Sequence, residues 1–291
     1  MPAGSAPFAR VGIAGVGLIG GSLAAALRSA WPTVEIAALD RPEVLAEASA
    51  RGLINRRAGS ADDLADADLI VLATPVVEIL NLLPAIARLR TNALVTDVGS
   101  TKRTICQVAR QAGLSRFVGG HTMAGAERPG LVHGRANLFE GQPWLLVPGS
   151  TSDDDLARLE RFVRGTGALP HRVDAETHDR TMAYVSHLPQ LVAVALMHTA
   201  GRAIGDAGLR LSGRAFAEMT RLAASPADLW QGILATNADN VAAATAALAA
   251  ALPPPAPGVE LARWIGETFQ EAGKWRERLD HARATEHGSD Q

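Results

Sequence analysis

Gly15-Val16-Gly17-Leu18-Ile19-Gly20 is a G-x-G-x-x-G run between an apolar stretch and an alanine-rich one. In that setting each glycine has a task. Gly15 permits a tight turn, Gly17 lets backbone approach a pyrophosphate, and Gly20 lets the following helix pack on the preceding strand. Leu18 and Ile19 open that helix, whose unpaired N–H groups suit phosphate oxygens. Asp40 stands twenty residues after Gly20, at the end of the next apolar run. A carboxylate there accepts from the adenosine ribose hydroxyls. It repels a 2′-phosphate and so favours NAD over NADP, although Arg41 beside it is a guanidinium able to pair with such a phosphate. Thr74 and Pro75, in the run Leu72–Val76, close a later strand at the same edge, beside the nicotinamide ribose.

Four further stretches carry reactive side chains. "TDVGSTK" (Thr96–Lys102) and "GGHTMAGAE" (Gly119–Glu127) each follow an apolar run, so both open onto that cofactor edge. "SHLPQ" (Ser186–Gln190) falls in the first long helix of the second half, and "MTRLAASPADLW" (Met219–Trp230) lies beyond it. His121 supplies an imidazole, whose neutral form accepts a proton. Ser100 also reads as the N-cap of a helix over Thr101–Ala109. His133, His171, His178 and His198 read as structural, since their spacing shows no H-x-x-x-H pair suited to a metal.

The elements that position these groups follow from hydrophobic patterning. Strand-type runs occur at Val11–Gly15, Val34–Leu39, Leu69–Ala73, Ala93–Thr96, Phe117–Gly119 and Trp144–Val147. Helical stretches, such as Gly20–Ser29 and Val76–Leu89, fall between them. Apolar strands alternating with helices predict a largely parallel, doubly wound sheet of Rossmann type over residues 1–172. After Asp174 strand signals fade. Alanine- and leucine-rich stretches at 175–206, 212–224, 226–251 and 258–283 predict an all-α domain over residues 173–291. Val241–Leu252 is apolar nearly all round, which calls for burial. A domain of this size has little interior for it, so a homodimer through the helical domain is expected.

Composition bounds the partners. Net charge is −2, and no basic stripe appears. Nucleic acid and membrane surfaces are therefore not expected partners. A single cysteine, Cys106, excludes an intrachain disulfide and a cysteine-based zinc site. The N-terminus lacks a signal-peptide apolar region, so a cytoplasmic enzyme is expected.

The glycine loop with "GLIGGS", then "DVGSTK", "GGHTMAGAE", "SHLPQ" and "TRLAASPADLW", occur in this order over roughly residues 10–250. Together they resemble the prephenate and arogenate dehydrogenases. That resemblance implies NAD-dependent oxidative decarboxylation of prephenate to 4-hydroxyphenylpyruvate, or of arogenate to tyrosine, in tyrosine biosynthesis. It implies His121 as the catalytic acceptor of the ring hydroxyl proton. Ser100 would orient that imidazole beside the nicotinamide. It implies Arg221 as a bidentate carboxylate ligand, His187 near the substrate side chain and Trp230 as a pocket wall. Ala126 and Glu127 would flank that side chain. Where the family often carries Pro and then Ser or Thr, this chain has Thr122 and Ala126. These departures leave 4-amino-4-deoxyprephenate open as a substrate. A neutral His121 with an ordinary titration would give activity that falls as pH drops through about 6.5.

Two other classes fit parts of the pattern. A hydroxyacid or imine dehydrogenase of similar plan uses a lysine in the helical domain, but Lys occurs only at Lys102 and Lys274. A non-catalytic NAD-binding protein has no need for Ser100, His121 and Arg221 together.

Overall fold

The computed structural model describes residues 5–89, 91–125, 128–253 and 258–288, the last six by backbone alone. Ala126 and Glu127 lie outside the described residues. Eight strands form one sheet in the order β3-β2-β1-β4-β5-β6-β7-β8. They are β1 (Arg10–Ala14), β2 (Glu35–Leu39), β3 (Arg56–Ala58), β4 (Leu69–Leu72), β5 (Leu94–Asp97), β6 (Phe117–Thr122), β7 (Pro143–Val147) and β8 (Leu169–Arg172). All neighbours run parallel except β6 and β7.

Strand residues alternate between two buried clusters, as a sheet covered on both faces requires. Val11, Ile13, Val71 and Leu94 face α1 (Leu18–Ala30), α2 (Pro42–Ala50) and α5 (Asp153–Gly165). Ile70, Leu72 and Val95 face α3 (Val76–Arg88) and α4 (Arg103–Gln111). Gly15 has φ +93°, and a Cβ there would lie 2.6 Å from the Ala73 carbonyl oxygen. A Cβ on Gly20 would lie 1.9 Å from the Gly15 carbonyl oxygen. No larger residue fits either place.

Three strand boundaries depart from the expectation. The edge strands β3 and β8 read as loops because their sequences, Arg-Arg-Ala and Leu-Pro-His-Arg, are polar and short. β6 continues to Thr122 because β7 pairs with it antiparallel over Gly119–Thr122. His121 therefore stands on a strand and not on a loop.

Beyond β8 the chain is helical: α6 (Ala175–Met182), α7 (Leu188–Leu209), α8 (Arg214–Thr220), α9 (Ala227–Thr236), α10 (Ala238–Ala251) and α11 (Val259–Gly288). The expected continuous helix over 175–206 is interrupted by a π-helical turn, Ala183–His187. Pro189, just beyond, has no N–H to continue the α-helical ladder. "SHLPQ" thus straddles a widened turn. The expected 226–251 helix breaks at Asn237. One compact unit runs to Val241, and residues 242–291 form a second, which holds the rest of α10 and α11. No described helix is long and apolar enough to cross a membrane.

Candidate active site

The parallel strands deliver their C-terminal ends to one edge. There the glycine loop leaves β1, Thr74 and Pro75 leave β4, and the Gly99–Lys102 loop leaves β5. The register pairs Thr96 with Val118; β5 ends at Asp97 and the chain leaves it through Gly99 and Ser100, while β6 runs on to His121 and Thr122.

The nucleotide end of this edge is preformed. The Asp40 carboxylate accepts from Val16 N at 2.6 Å and from Arg41 N at 2.7 Å. Each oxygen keeps a second lone pair for a ribose hydroxyl. Gly17 is the N-cap of α1, and space over it is open: an added Cβ would meet nothing within 4 Å. The Thr74 hydroxyl is buried and unpartnered at the neighbouring strand end. An open helix N-terminus, a carboxylate with spare lone pairs and an orphan hydroxyl suit a dinucleotide.

The reacting end is built from buried ionic and imidazole groups. Asp97 closes β5 and pairs with the Lys102 ammonium; both side chains are fully buried. Asp97 Oδ1 accepts from Gly120 N at 3.0 Å, and Lys102 Nζ donates to Gly120 O at 2.6 Å. Both backbone groups of the residue before His121 are thereby clamped. His121 is 8% exposed, and its Nδ1 lies 2.9 Å from His178 Nε2. His178 Nδ1 lies 2.8 Å from Asp179 Oδ1. Burial holds His121 well below the usual histidine range, and repulsion from His178, Lys102 and His187 adds to this. Burial also lowers His178, against the pull of Asp179. Burial alone would raise Asp179. Hydrogen bonds from His178 and from the Arg103 and Lys102 N–H groups outweigh it, so Asp179 stays ionised.

His187 ends the π-helical turn and is fully buried. Asn237 Nδ2 lies 3.2 Å from His187 Nδ1 and donates to the Asp179 carbonyl at 2.7 Å. Asn237 Oδ1 accepts from Arg103 at 3.2 Å and from Asn240 at 2.9 Å, which fixes the amide orientation. His187 Nδ1 must then accept, and Nε2 carries the proton. That N–H is buried with no partner. Burial lowers the His187 pKa to about 4, so His187 presents a neutral donor to the site. Trp230 meets its ring edge-on, with centroids 6.0 Å apart.

Among the sequence-predicted residues, His121 and Ser100 share the β5–β6 edge, and His187 and Trp230 are in contact. Ser100 is half-buried and is not a helix cap. α4 begins at Arg103, because the Asp179 carboxylate takes the N–H groups of Lys102 and Arg103 at 2.7 and 2.9 Å and caps the helix from outside. Arg221 is exposed on a short 3-10 turn, Arg221–Ala224. That turn is tied to α7, where Gln190 Nε2 donates to Leu222 O at 2.8 Å.

His178, read as structural, is fully buried and lies against His121. Its signal was the His178-Asp179 dipeptide just ahead of "SHLPQ". Lys102 and Asp97 lay inside a quoted motif without a role. Asn237 carried no sequence signal, since a lone asparagine ending an alanine-rich helix looks like a C-cap.

The chain matches the family model described as prephenate dehydrogenase, nucleotide-binding domain, over residues 23–170. It matches the model described as prephenate dehydrogenase, dimerization domain, over residues 174–253. It is 34% identical to the prephenate dehydrogenase of Bacillus subtilis over 238 residues, 79% of this chain and 64% of that protein. It is 31% identical to the cyclohexadienyl dehydrogenase of Zymomonas mobilis over 241 residues, 79% of this chain and 82% of that one. Among solved structures it resembles the A. aeolicus prephenate dehydrogenase in complex with hydroxyphenyl propionate and NAD+. There the TM-score is 0.79 at 29% identity, over 97% of this chain and 98% of that one. The match thus spans less than two thirds of the Bacillus relative.

Proposed function

The chain belongs to the prephenate dehydrogenase family, and on that premise we propose that it catalyses NAD-dependent oxidative decarboxylation of prephenate, or of its close analogue arogenate. The observation that carries this reading is His121. It is a buried, neutral imidazole, clamped through Gly120, on the edge onto which the glycine loop opens.

NAD+, when bound, accepts a hydride from the ring carbon bearing the hydroxyl. The first helical turn, with Gly17, Leu18, Ile19 and Gly20, suits its pyrophosphate, and Asp40 suits the adenosine ribose. Thr74 and Pro75 flank the nicotinamide side. His121 takes the hydroxyl proton as the carbonyl forms, and the ring carboxylate departs as CO2 on aromatisation. Ser100, on the loop that leaves β5, orients the imidazole and the hydroxyl. A neutral His187 donates to a side-chain oxygen of the substrate, and Trp230 walls that end. Arg221 binds a carboxylate with its planar fork.

The helical region is read as the substrate and dimerisation part, with the boundary at 172/173. α7 buries only Gln190 and Ala193 along its length and leaves Val194 and Ile204 exposed. α11 separately exposes Ile265, Phe269 and Trp275. A second copy of the chain is the fitting cover for such faces.

The test is NADH formation with NAD+ and, separately, prephenate, arogenate and 4-amino-4-deoxyprephenate. Turnover of prephenate or arogenate is expected. Turnover of the amino compound alone would move the enzyme to that substrate with the same residues. Turnover of none would overturn the reading.

A further inference from the structure

Asp179 accepts four donors: Lys102 N at 2.7 Å, Arg103 N at 2.9 Å, Arg103 Nε at 3.4 Å and His178 Nδ1 at 2.8 Å. An ionised carboxylate can only accept, so His178 Nδ1 carries a proton and donates it. His178 is neutral, so its Nε2 has a lone pair and no proton. The atom facing it at 2.9 Å is His121 Nδ1, which must therefore be the donor. The opposite tautomer of His121 would set two lone pairs against each other at that distance. His121 is neutral as well, so its Nε2 is bare. Three residues in series leave no freedom in where the protons lie.

We propose that His178, held by the Asp179 carboxylate, is the positioning residue that keeps the His121 proton on Nδ1 and its lone pair on Nε2, and that it takes the Nδ1 proton when Nε2 gains one. This rests on the reading of His121 as the base. As the ring C–H pair leaves as hydride to bound NAD+, the hydroxyl O–H pair becomes the second C–O bond. The hydroxyl proton joins His121 Nε2. The His121 Nδ1–H bond breaks, and its proton joins His178 Nε2. His121 ends neutral, with its proton moved from Nδ1 to Nε2, and the positive charge rests on His178 beside Asp179. As the ring carboxylate leaves as CO2, the C–CO2 bond pair enters the ring and the C4 oxygen becomes a phenolate; the Nε2 proton returns to that oxygen to give the phenol, and His178 returns the other proton to Nδ1.

The placement of charge is the physical reason for this transfer. A charge confined to His121 would face Lys102 and His187 with no carboxylate hydrogen-bonded to it. On His178 it faces the same Lys102, but also Asp179 in direct contact and Asp97 nearby. The relay moves the charge one ring away from the reacting carbon and toward its counter-ion. His178 lies five residues before the start of the π-helical turn, on α6, whose N-cap Asp174 accepts from Thr177 N at 2.8 Å. The relay is thus anchored on a capped helix of its own, apart from the strand that carries His121.

The test begins without turnover. Full-length protein labelled with 15N-histidine reports tautomers through long-range nitrogen–proton correlations, with His121 assigned from the His121→Asn variant. The expected wild-type spectrum has His121 protonated on Nδ1 and bare on Nε2. His178→Phe removes the acceptor, so the His121 signals should move to the other tautomer or a mixture. Its kcat should fall roughly 10- to 100-fold, less than the loss of the general base itself, with KM for both substrates within about threefold. His178→Gln keeps an acceptor oxygen but no basic nitrogen. It should preserve the tautomer yet recover only part of kcat, which separates holding the proton from taking it. It also serves should His178→Phe not fold. A wild-type His121 protonated on Nε2, or a His178→Gln enzyme with kcat within twofold of wild type, would overturn the proposal. A protein that shows the expected tautomer but turns over no substrate would instead count against the assigned reaction.

Discussion

The sheet edge and the helical segment hold their functional groups in opposite ways. His121 is fixed from every side: Asp97 and Lys102 grip the preceding peptide, and His178 grips the ring. All these groups are buried. Arg221 stands exposed on a four-residue 3-10 turn, secured to α7 through Gln190, with Ser225 Oγ completing the link at 3.3 Å. The difference matches the tasks. Proton transfer fails when a donor and acceptor drift by an ångström, so its groups are locked before substrate arrives. Carboxylate capture needs a long side chain with its charge in reach of solvent and substrate. His187 stands between the two regimes. It is carried by the helical segment yet is locked by Asn237, which also binds the carbonyl of Asp179. One asparagine therefore ties His187 to Asp179, the residue that anchors the proposed relay behind His121.

The largest expected effect is at the locked end. His121→Asn should lower kcat by roughly 10²–10⁴-fold, the span of a lost general base. Affinity for NAD, read from fluorescence quenching, should stay within about twofold, because the glycine loop and Asp40 are untouched. Near-normal turnover would mean that the sheet edge does not carry the chemistry. At the exposed end, Arg221→Ala should raise KM for prephenate about 10- to 100-fold while kcat changes little, since a charge-assisted bidentate contact contributes about 1.5–3 kcal/mol. A kcat loss as large as that of His121→Asn, with KM unchanged, would erase the distinction between the two ends.

The sheet half was legible because its signals are local. Apolar runs, the glycine spacing and an acid at a strand end each fit within a few residues, and they recover β1, β2 and β4 to within a residue or so. The edge strands β3 and β8 were not legible. Their polar sequences gain strand form only from a neighbour already in place. His121 was singled out by type and motif, but its environment was not. His178 lies 57 residues away in sequence and reaches it only through tertiary packing. Asn237 reaches His187 across 50 residues, with an alanine-rich helix as its only local context. The Ser100 cap failed for the same reason, because the groups that end the loop and start α4 come from Asp179.

The same packing changes the expected response to pH. An isolated histidine would make activity fall through about pH 6.5. Burial depresses His121, His178 and His187 in the folded chain, His187 to about 4. Turnover should therefore not fall as pH drops through 6.5, and its acid limb should lie below that value. Stability behaves differently. Below 6.5 the unfolded chain binds protons that the folded chain refuses, so the free energy of unfolding falls with pH. The stabilisation is complete above the unfolded value of about 6.5, shrinks as pH drops, and is spent for His187 once its folded value near 4 is passed. Each fully refused proton costs about 1.4 kcal/mol per pH unit in this window. Ionised Asp179 adds its own loss only at lower pH, where its carboxylate takes up a proton. Thermal melts should thus show Tm falling between pH 6.5 and 4.5, with a shallower slope in His187→Gln. Half-loss of kcat at pH 6.5 with an unchanged Tm would mean that these imidazoles ionise freely in the folded protein. The locked end would then be no more fixed than the exposed one.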